Sequence, residues 1–519
     1  MRYLSYLFLV TIIILWSSCR NDFESDPSTG NLQFSSDTIF LDTIFTNIGS
    51  STYSFKVYNR TDDDLTIPSI TLEKGESSNY RLNVDGIPGK SFENIQVLAK
   101  DSIFVFVETT TDITNQTNEP EYLYTDRILF DPTGNVQDVD LVTLVKDAIF
   151  LFPSRDNMTG EVESLLLGED ENQEEIRIEG FFLDDDELNF TNEKPYIIYG
   201  FAAIPPGKTL TIDAGARIHF HEGSGIIASN TATLIVNGEV STDPELLENE
   251  VIFEGDRLEP NFSDVTGQWG FIWLTAGSTG HQINHATIKN GTLGILMDSN
   301  DGSTDPTLTI TNTQIYNSAL FGLLARTGNV LGENLVINNA GISSLNCSLG
   351  GTYNFNHCTF ANYWSGSSNR STPSVLIDNV IFLENDVPFP LDLLEANFTN
   401  CIIYGNNNLE LGFIQDPNKL FNYKFENCLI RFDDTRNEIE DDNPLYDFSD
   451  TSLFENVFLN ENIDFKDSAN NLLQIGEESF ANGKASTPTS GTDILGTPRD
   501  MNAPDIGAYE SILFETMDN

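Results

Sequence analysis

Basic residues are scarce in this chain. Of its 519 residues, 26 are Lys or Arg and 79 are Asp or Glu, so the formal net charge is -53. Such a surface repels nucleic acid, anionic lipid and polyanionic polysaccharide unless cations intervene. The acidity does not indicate disorder, because 39% hydrophobic and 11% aromatic residues are enough to build a core. We therefore expect a folded protein with a solvated acidic coat and no nucleic-acid partner.

Residues that carry common enzyme chemistry are also rare. The chain has five His and five Cys, and they form no Ser-His-Asp arrangement, phosphate loop or zinc pattern. His219 and His221 alternate on one strand face, but no third His or Cys lies near them in the sequence. A calcium-assisted lyase needs a basic residue at a fixed position beside carboxylates, whereas the basic residues between positions 285 and 427 are scattered. We expect no cofactor, with Ca²⁺ as the one possible ion.

One long apolar run is present, and it lies near the N-terminus. Residues 1–18 have a positive start at Arg2 and an apolar stretch from Tyr6 to Trp16, which predicts a signal peptide. The sequence Leu-Trp-Ser-Ser-Cys, ending at Cys19, resembles a bacterial lipobox, and this implies a lipidated Cys19. An ordinary signal peptide with a chance Cys is the alternative. Residues 19–31 form an acidic tether that resembles the surface-export signal of some Gram-negative lipoproteins. The resemblance implies an outer-membrane lipoprotein, anchored in lipid and facing the cell surface.

A short phrase recurs seven times in the second half of the chain. Each copy is an Asn or His anchor, a small or apolar residue, any residue, and then Ile or Phe, and the copies lie 21 to 27 residues apart. The anchors are His285, Asn312, Asn334, His357, Asn379, Asn400 and Asn427. Positions +1 and +3 point to one face of a strand and position +2 to the other. A fixed period of this length predicts a solenoid, and the strand pattern favours a parallel β-helix in which the anchors form a structural ladder.

Three cysteines occupy position +1 of this phrase: Cys358, Cys401 and Cys428. Their shared position predicts buried thiols stacked inside the solenoid. The Val380 copy separates Cys358 from Cys401 in the sequence, so we expect these two to lie about two strand spacings apart, beyond disulfide reach. We expect all the interior thiols to be free.

Residues 32–148 lack the phrase and instead alternate short apolar strands with turns such as Asp85-Gly86. About seven short strands fit an immunoglobulin-like β-sandwich. The segment resembles the small β-sandwich modules that follow the lipid anchor in many bacterial surface proteins. An acidic and amide-rich stretch, residues 149–175, reads as a connector.

Residues 176–470 are predicted to form the β-helix, and residues 471–519 its C-terminal cap. The series of Pro, Gly and strand residues from Ile204 to Phe220 resembles the opening coils of right-handed β-helix proteins. The ending combines Asp493-x-x-Gly-x-x-Arg499 with Asp-Ile-Gly-Ala-Tyr-Glu at 505–510. It resembles the terminal signature of bacterial choice-of-anchor and polysaccharide-lyase-like β-helix proteins. That resemblance implies an all-β chain with a right-handed parallel β-helix, and it leaves the activity open, since such proteins have diverse or unknown functions.

Two loops are candidate sites. The loop from Tyr363 to Arg370 interrupts the repeat with Tyr363, Trp364 and Arg370, side chains suited to stacking on sugars or anchoring a partner. Equally, its aromatic residues could cap the core from outside. In the second loop, Asp298, Asn300 and Asp301 offer oxygen ligands for Ca²⁺ but lack the closing Glu of an EF-hand. The acidic run at 184–187 and this loop both also fit solvated turns.

Two functions from different classes follow. The first is a surface-anchored lipoprotein whose β-helix is a non-catalytic binding or structural module for a polysaccharide or a surface protein. The alternative is a carbohydrate-active enzyme, either a glycoside hydrolase or a divergent polysaccharide lyase, because the β-helix scaffold hosts all of these. Inverting hydrolysis would require two carboxyl groups roughly 6.5 to 9.5 Å apart.

Overall fold

The structure is a computed structural model that describes residues 25–514 except for 114–119, 132–133, 170–172, 245, 384–385, 437–438, 440–442 and 488–489. The described chain is all-β, with short 3-10 turns and no α-helix. Within these residues no helix is long and apolar enough to cross a membrane. The chain divides into two units, Met1–Asp147 and Ala148–Asn519.

The first unit consists of two sheets. One has the strand order β1-β5-β10-β11-β3, with β8 paired to β5, and the other has the order β2-β4-β9-β6-β7. Most pairs are antiparallel, but β11 pairs with β3, and β1 with β5, in parallel. The strands are β1 (Asp26–Pro27), β2 (Gln33–Phe34), β3 (Thr38–Phe45), β4 (Tyr53–Tyr58), β5 (Leu65–Leu72), β6 (Tyr80–Val84), β7 (Ile87–Gly89), β8 (Ser91–Val97), β9 (Ser102–Thr109), β10 (Glu121–Phe130) and β11 (Gln137–Lys146), with a 3-10 turn at Gly75–Ser77.

Alternation along these strands builds one core between the two sheets. In β9, Ile103, Val105 and Val107 are buried, whereas Phe104 and Phe106 on the opposite face are exposed. The same alternation in the other sheet directs Ile128 into a shared cluster. The core also contains a polar contact, because the Tyr80 hydroxyl donates to the backbone oxygen of Tyr124 at 3.0 Å. Two sheets therefore face each other across an apolar layer, as in a β-sandwich.

The second unit contains 33 described strands. They are β12 (Ile149–Leu151), β13 (Ser164–Glu169), β14 (Glu175–Phe182), β15 (Asn189–Phe190), β16 (Tyr196–Ile198), β17 (Phe201–Ile204), β18 (Thr209–Asp213), β19 (Arg217–Phe220), β20 (Gly225–Ala228), β21 (Thr233–Asn237), β22 (Val251–Gly255), β23 (Ile272–Leu274), β24 (His281–Asn284), β25 (Ala286–Lys289), β26 (Leu293–Asp298), β27 (Leu308–Thr311), β28 (Gln314–Ser318), β29 (Phe321–Glu333), β30 (Val336–Ala340), β31 (Ser343–Asn356), β32 (Thr359–Asn362), β33 (Val375–Asp378), β34 (Val380–Leu383), β35 (Val387–Pro390), β36 (Leu393–Thr399), β37 (Ile402–Gly405), β38 (Leu411–Ile414), β39 (Lys424–Glu426), β40 (Leu429–Ile430), β41 (Phe454–Glu455), β42 (Phe458–Leu459), β43 (Phe465–Asp467) and β44 (Leu472–Ile475). Further 3-10 turns lie at Pro260–Phe262, Pro444–Tyr446 and Ser468–Asn470.

Most of these strands stack into three faces of parallel strands, and the exceptions, which pair antiparallel, are β13, β34, β35, β43 and β44. The first face is an 11-stranded sheet, β12-β16-β19-β22-β25-β28-β30-β32-β37-β40-β42. An 18-stranded sheet supplies the other two. The second face is β14, β17, β20, β23, β26, the N-terminal halves of β29 and β31, β33 and β38, and the third is β15, β18, β21, β24, β27, the C-terminal halves of β29 and β31, β36, β39 and β41. Each coil thus gives one strand to each face, which is the solenoid-like arrangement that the repeat predicts.

One continuous core runs through the stacked coils. The +3 residues, such as Ile315, Ile337 and Phe360, point into it. On the third face, Phe355, Phe398, Phe425 and Phe454 stack coil on coil, with ring centroids 5.3, 4.8 and 5.6 Å apart in that order. The coils begin at β12, which pairs with β16. The stretch 149–175, expected to be a connector, therefore already contributes strands to the stacked sheets.

The repeated anchors lie where each coil turns from the third face onto the first. His285, Asn312, Asn334, His357, Asn400 and Asn427 all have positive φ, between 44° and 55°. This left-handed conformation is costly for most side chains, and Asn and His tolerate it better. The anchors also bond between coils: Asn334 Nδ2 donates to Asn312 Oδ1 at 2.9 Å, and Asn400 Nδ2 to His357 Nε2 at 3.0 Å. Backbone conformation and coil-to-coil hydrogen bonds together explain the residue choice.

A second asparagine ladder lies five residues after the first. Asn290, Asn317 and Asn339 also have positive φ. Asn317 Nδ2 donates to Asn290 Oδ1 at 3.1 Å, and Asn339 Nδ2 to Asn317 Oδ1 at 2.8 Å. The sequence contains the signal, since Asn stands at +5 in four consecutive copies, the fourth being Asn362, but the repeat phrase did not include that position.

The Asn379 copy departs from the repeat. β34, which follows this anchor, pairs with β35 as an antiparallel hairpin and adds no strand to the first face. β32 consequently pairs directly with β37. Cys358 and Cys401 therefore lie in adjacent coils, not two strand spacings apart as the sequence suggested. Together with Cys428 they form a stack of buried free thiols, and burial raises the pKa of the Cys401 thiol well above its ordinary value.

Residues 463–512, except for the undescribed residues 488–489, are here called the strap and lie along the outer side of the first face. The Ala508 N–H donates to Thr359 Oγ1 at 3.1 Å, and the Gly507 N–H to the Asn400 oxygen at 2.8 Å. Further along, Arg499 donates to Asn334 Oδ1 at 2.9 Å. The segment expected to cap the solenoid thus covers its side. Side chains of Leu445, Phe448 and Leu453 pack against the last part of the core instead.

The +2 residues of the repeat explain this position. They point away from the core, yet Val336, Ile402 and Leu429 are apolar and need cover. The strap supplies it, since Ile506 clusters with Ile402 and Leu429, and Ala508 clusters with Val336. All of these side chains are fully buried. The strap therefore explains why position +2 of the repeat is only partly polar.

Gly507 provides a test of the strap. Its φ is +99°, and a Cβ there would lie 2.4 Å from Ile402 Cδ1 and 2.9 Å from Thr359 Oγ1. We expect Gly507→Val to lower the free energy of unfolding by about 2 to 4 kcal/mol, through backbone strain and overpacking. Trypsin should also cut the variant faster after Lys484 and Arg499, as mass spectrometry of the fragments would reveal. Gly491→Ala is the control, because a Cβ at Gly491 meets no atom within 4 Å. Cleavage of Gly507→Val at the wild-type rate would contradict this placement.

Candidate functional site

Arg370 ends the predicted Trp364 loop, the residues Tyr363–Arg370, and its side chain points into the protein. The Arg370 guanidinium lies 2.5 Å from Glu410 Oε1, and the two side chains are 1% and 0% exposed. Arg370 also donates to the backbone oxygens of Thr372 and Asn362 and to Asn406 Oδ1. Glu410 in turn accepts from the Ser374 and Asn407 N–H groups. Arg370 therefore ties three turns together and is not available to a ligand in the way that the sequence suggested.

The two aromatic residues of the loop have different surroundings. Tyr363 packs edge-on against Phe465 of the strap, with ring centroids 6.0 Å apart, and burial raises its pKa. Trp364 is half-buried, and its Nε1 donates to the Ser368 oxygen at 2.8 Å. Its ring lies on Gly366, where a Cβ would come within 2.1 Å of it. Trp364 thus closes its own loop while part of the ring stays in contact with solvent.

A polar cleft opens directly beside this loop. It has a volume of about 320 Å³ and is lined by Arg370, Ser371, Asn406, Asn407, Asn408, Leu409, Asp433, Asp434 and Arg436. The link to the Trp364 loop is short, because Asn406 Nδ2 donates to the Trp364 oxygen at 3.2 Å. Gly405 ends β37 just before the three asparagines, and a Cβ there would collide with the Glu410 carboxylate. The buried ion pair thus fixes the turn that carries the amides of the cleft.

The groups of the cleft differ in how far they are already engaged. Asn407 Nδ2 donates to the Thr372 oxygen, and Asp434 Oδ2 accepts from the Ile439 N–H. The Asn408 amide and the Asp433 carboxylate make no hydrogen bond within the described residues, although the Asp433 N–H donates to the Asn408 oxygen at 2.8 Å. An amide can both donate and accept hydrogen bonds and a carboxylate can accept them, so together these two groups could bind the hydroxyls of a ligand.

The residues expected to bind Ca²⁺ do not converge. Asp298 accepts from Trp273 Nε1 at 2.7 Å and from Arg326 at 3.1 Å. Asp301 accepts from Thr279 and from the Ser303 N–H, and hydrogen bonds hold its pKa at about 2 despite the opposing effect of burial. Asn300 Oδ1 accepts from the Gly302 N–H. Each of these oxygens already accepts a hydrogen bond, either from the loop itself or from Trp273, Thr279 and Arg326 outside it. Among the described residues, no group of three or more His, Cys, Asp or Glu side chains is placed to hold a metal ion.

His219 on β19 and His221 just after that strand belong to a small titratable cluster on the first face. His219 is buried, with Nδ1 3.6 Å from Glu254 Oε1, and Lys289 Nζ lies 2.8 Å from Glu254 Oε2. Burial alone would raise the Glu254 pKa, but His219 and Lys289 outweigh it and the pKa is lowered. His221 Nδ1 lies 2.8 Å from Asp256. Sequence spacing could not find this cluster, since its members come from three strands of adjacent coils.

Asp378 is a buried acid with no cationic partner within the described residues. It ends β33, and its Oδ1 accepts from the Leu349 N–H at 2.7 Å and from the Ser348 hydroxyl at 3.1 Å. Burial raises its pKa from 3.8 to about 6, although these two hydrogen bonds oppose the rise. Leu349 has a φ of +57°. Asp378 therefore supports a left-handed turn at the cost of burying a carboxylate.

Comparisons with known proteins add little to this geometry. No protein-family model matches the chain, and no curated protein matches it. A PapD-like domain of human CEP192 is 10% identical and covers 25% of this chain and 94% of its own, with a TM-score of 0.16. The E. coli chaperone DraB is 13% identical over 24% of this chain and 58% of its own, also at 0.16. A family 123 glycoside hydrolase from Clostridium perfringens is 10% identical over 22% of this chain and 25% of its own, again at 0.16. Likenesses this weak carry no functional argument. The predicted lipidation residue, Cys19, lies outside the described residues.

The buried ion pair yields a stability prediction. Arg370→Met leaves the Glu410 carboxylate buried without its cation, and we expect the free energy of unfolding to fall by about 3 to 5 kcal/mol. The double variant Arg370→Met/Glu410→Leu should recover much of this loss, because two apolar side chains replace the pair. Urea denaturation followed by tryptophan fluorescence measures it, since Trp269, Trp273 and Trp364 all lie in the second unit. Equal instability of the single and double variants would show that the pair is not the cause.

Asp378 yields a pH prediction. Because its folded pKa is raised, its contribution to stability is largest below pH 3.8, declines as pH rises to about 6 and is constant above that. Asp378→Asn keeps an acceptor for Leu349 but does not titrate. We therefore expect the stability of the variant relative to wild type to increase between pH 4 and pH 6.5, by at most about 3 kcal/mol. Thermal denaturation at several pH values measures this difference. A difference that does not vary with pH would refute the prediction.

Proposed function

We propose that the chain is a lipid-anchored surface protein of a Gram-negative bacterium, built from an immunoglobulin-like β-sandwich and a right-handed parallel β-helix. In this proposal Cys19 carries the lipid and the β-helix is a non-catalytic binding module. The ligand is a neutral polysaccharide bound in the polar cleft beside the Trp364 loop. The observation that carries the proposal is the pair of unengaged polar groups at Asn408 and Asp433 inside that cleft.

The chemistry of the cleft suits sugar hydroxyls. Three consecutive amides, two carboxylates and the Arg436 guanidinium line it, so the cleft offers both hydrogen-bond donors and acceptors. The half-buried Trp364 stands beside it through its contact with Asn406. Binding sites for small ligands combine such a few oriented polar groups with a concave shape. The volume of about 320 Å³ suits one or two sugar rings at a time.

Charge selects among polysaccharides. The net charge of -53 disfavours a polyanionic chain. Within the cleft the Arg370 charge is already compensated by Glu410, which leaves Asp433 and Asp434 against Arg436. These charges favour a neutral glycan over one that carries uronic acid or sulfate groups.

A carbohydrate-active enzyme is the second candidate, and one observation favours it. Glu254 lies between His219 and Lys289 on the first face, and such a cluster of acid and base groups is typical of a reactive site. However, the lowered Glu254 pKa suits a base better than an acid. The non-catalytic proposal is preferred because inverting hydrolysis needs two facing carboxyl groups, whereas the described ion pairs of Glu254 are with the basic residues His219 and Lys289.

A polysaccharide array with both binding and product-release readouts tests the two candidates. We expect binding to neutral glycans without product release. Asn408→Ala/Asp433→Ala should weaken binding by about tenfold or more, because each removes a hydrogen bond to the sugar and one of the two groups is charged. Asp186→Ala is the matched control, since it removes an exposed carboxylate outside the cleft. Retained binding in the cleft variant would refute the proposed site, and product release that Glu254→Gln abolishes would establish the enzyme.

A further inference from the structure

The hairpin that interrupts the repeat is apolar throughout its strands. β34 reads Val-Ile-Phe-Leu and β35 reads Val-Pro-Phe-Pro. Four large side chains are exposed: Phe382 by 63%, Leu383 by 50%, Val387 by 52% and Phe389 by 45%. Exposed apolar groups in such a cluster are unusual on a soluble surface and mark interaction sites.

Both faces of the hairpin are apolar. Because Phe382 pairs with Pro388, these two side chains share one face, and Leu383 and Val387 share the other. A hairpin that packed against its own solenoid would have one apolar and one polar face. This one offers apolar side chains on both, so an occupant must contact two sides.

The exposed apolar surface continues at the base of the hairpin. The Asn379 side chain donates to the backbone oxygens of Asp416 and Leu420, which fixes the adjoining turn. Leu420 there is 51% exposed, and Ile414, which pairs with Asp378, is also exposed. The described residues of the hairpin and the turn, together called the patch, include three acids, Asp386, Asp392 and Asp416, and one base, Lys419.

The chemistry of the patch limits which kinds of molecule could bind it. A second copy of this chain would bring the same acidic residues to the interface, and a net charge of -53 opposes self-association. If the hairpin inserted into a lipid surface, the exposed Asp386 carboxylate would enter it before the apolar side chains, and burying a carboxylate there is unfavourable. Addition of a further strand to β35 is disfavoured too, because Pro388 and Pro390 have no N–H to donate. The remaining possible occupant is a polypeptide that binds through side-chain contacts. Its charge must be complementary to that of the acidic residues around the patch.

We propose that this hairpin is a docking site for a partner polypeptide rich in apolar and basic residues. The apolar side chains of the partner contact both faces of the hairpin, and its Lys or Arg side chains meet the carboxylates of Asp386 and Asp416. The site is separate from the polar cleft and does not depend on glycan binding.

The test uses the full chain and short synthetic peptides with alternating Leu and Lys, alternating Leu and Glu, or alternating Ser and Lys. We expect calorimetric or fluorescence titration to detect binding of the Leu and Lys peptide, and of neither other peptide at comparable affinity. Phe382→Ser/Phe389→Ser should weaken this binding by at least about tenfold, because two large apolar contacts are lost. Its thermal midpoint should stay at the wild-type value, since both side chains are exposed.

Phe182→Ser is the matched control, because Phe182 is a single exposed Phe, 50% exposed, on β14. It should bind the Leu and Lys peptide as wild type does. Equal affinity of the double variant and wild type, or equal binding of the Ser and Lys peptide, would overturn the proposal, because attraction to the acidic coat alone would then explain the result. Two other outcomes would also overturn it: flotation with phosphatidylcholine vesicles that the double variant loses, or a dimer in sedimentation that the double variant abolishes.

Discussion

The second unit depends on one constraint: the strands of each coil must pair in register with the strands of the coil before it. Parallel strands satisfy their backbone groups only with neighbours, so a coil that turned differently would leave N–H and C=O groups unpaired on both sides. Left-handed turns at fixed positions meet this constraint, and Asn or His at those turns lowers their cost. The polar ladders, the stacked phenylalanines and the stacked thiols all follow from that common register.

Local pattern was enough to predict this architecture, because side-chain alternation and turn chemistry are properties of neighbouring residues. The Asn379 copy shows where local pattern fails. Its strand has the same phrase as the others, but Val387–Pro390 follows after only three residues, and a nearby apolar strand is a more accessible partner than one in the previous coil. The phrase predicts a strand, whereas its partner depends on what comes next in the chain.

Burial at the candidate site was beyond sequence reasoning for a related reason. Arg370 stands in a loop with Ser, Gly and Asn, which suggests exposure, and only Glu410, 40 residues later, turns it inward. Tyr363 and Trp364 were predicted either to bind a ligand or to cap the core from outside, and their neighbours come from the strap and from an adjacent coil. The terminal signature has a similar lesson. Asp493 and Asp505 accept backbone N–H groups and Arg499 pairs with Glu510, so these residues of the motif hold the strap in its fold.

The strap has a consequence for biosynthesis. It follows in the chain every coil that it covers, and chains fold from the N-terminus as they are made. Until residues 463–512 arrive, the apolar +2 residues of a nearly finished solenoid face water, and that surface resembles an aggregation-prone sheet. The first face is therefore covered only after residues 463–512 have been made, so a chain that stopped before them would expose an apolar surface that chaperones and proteases can recognise.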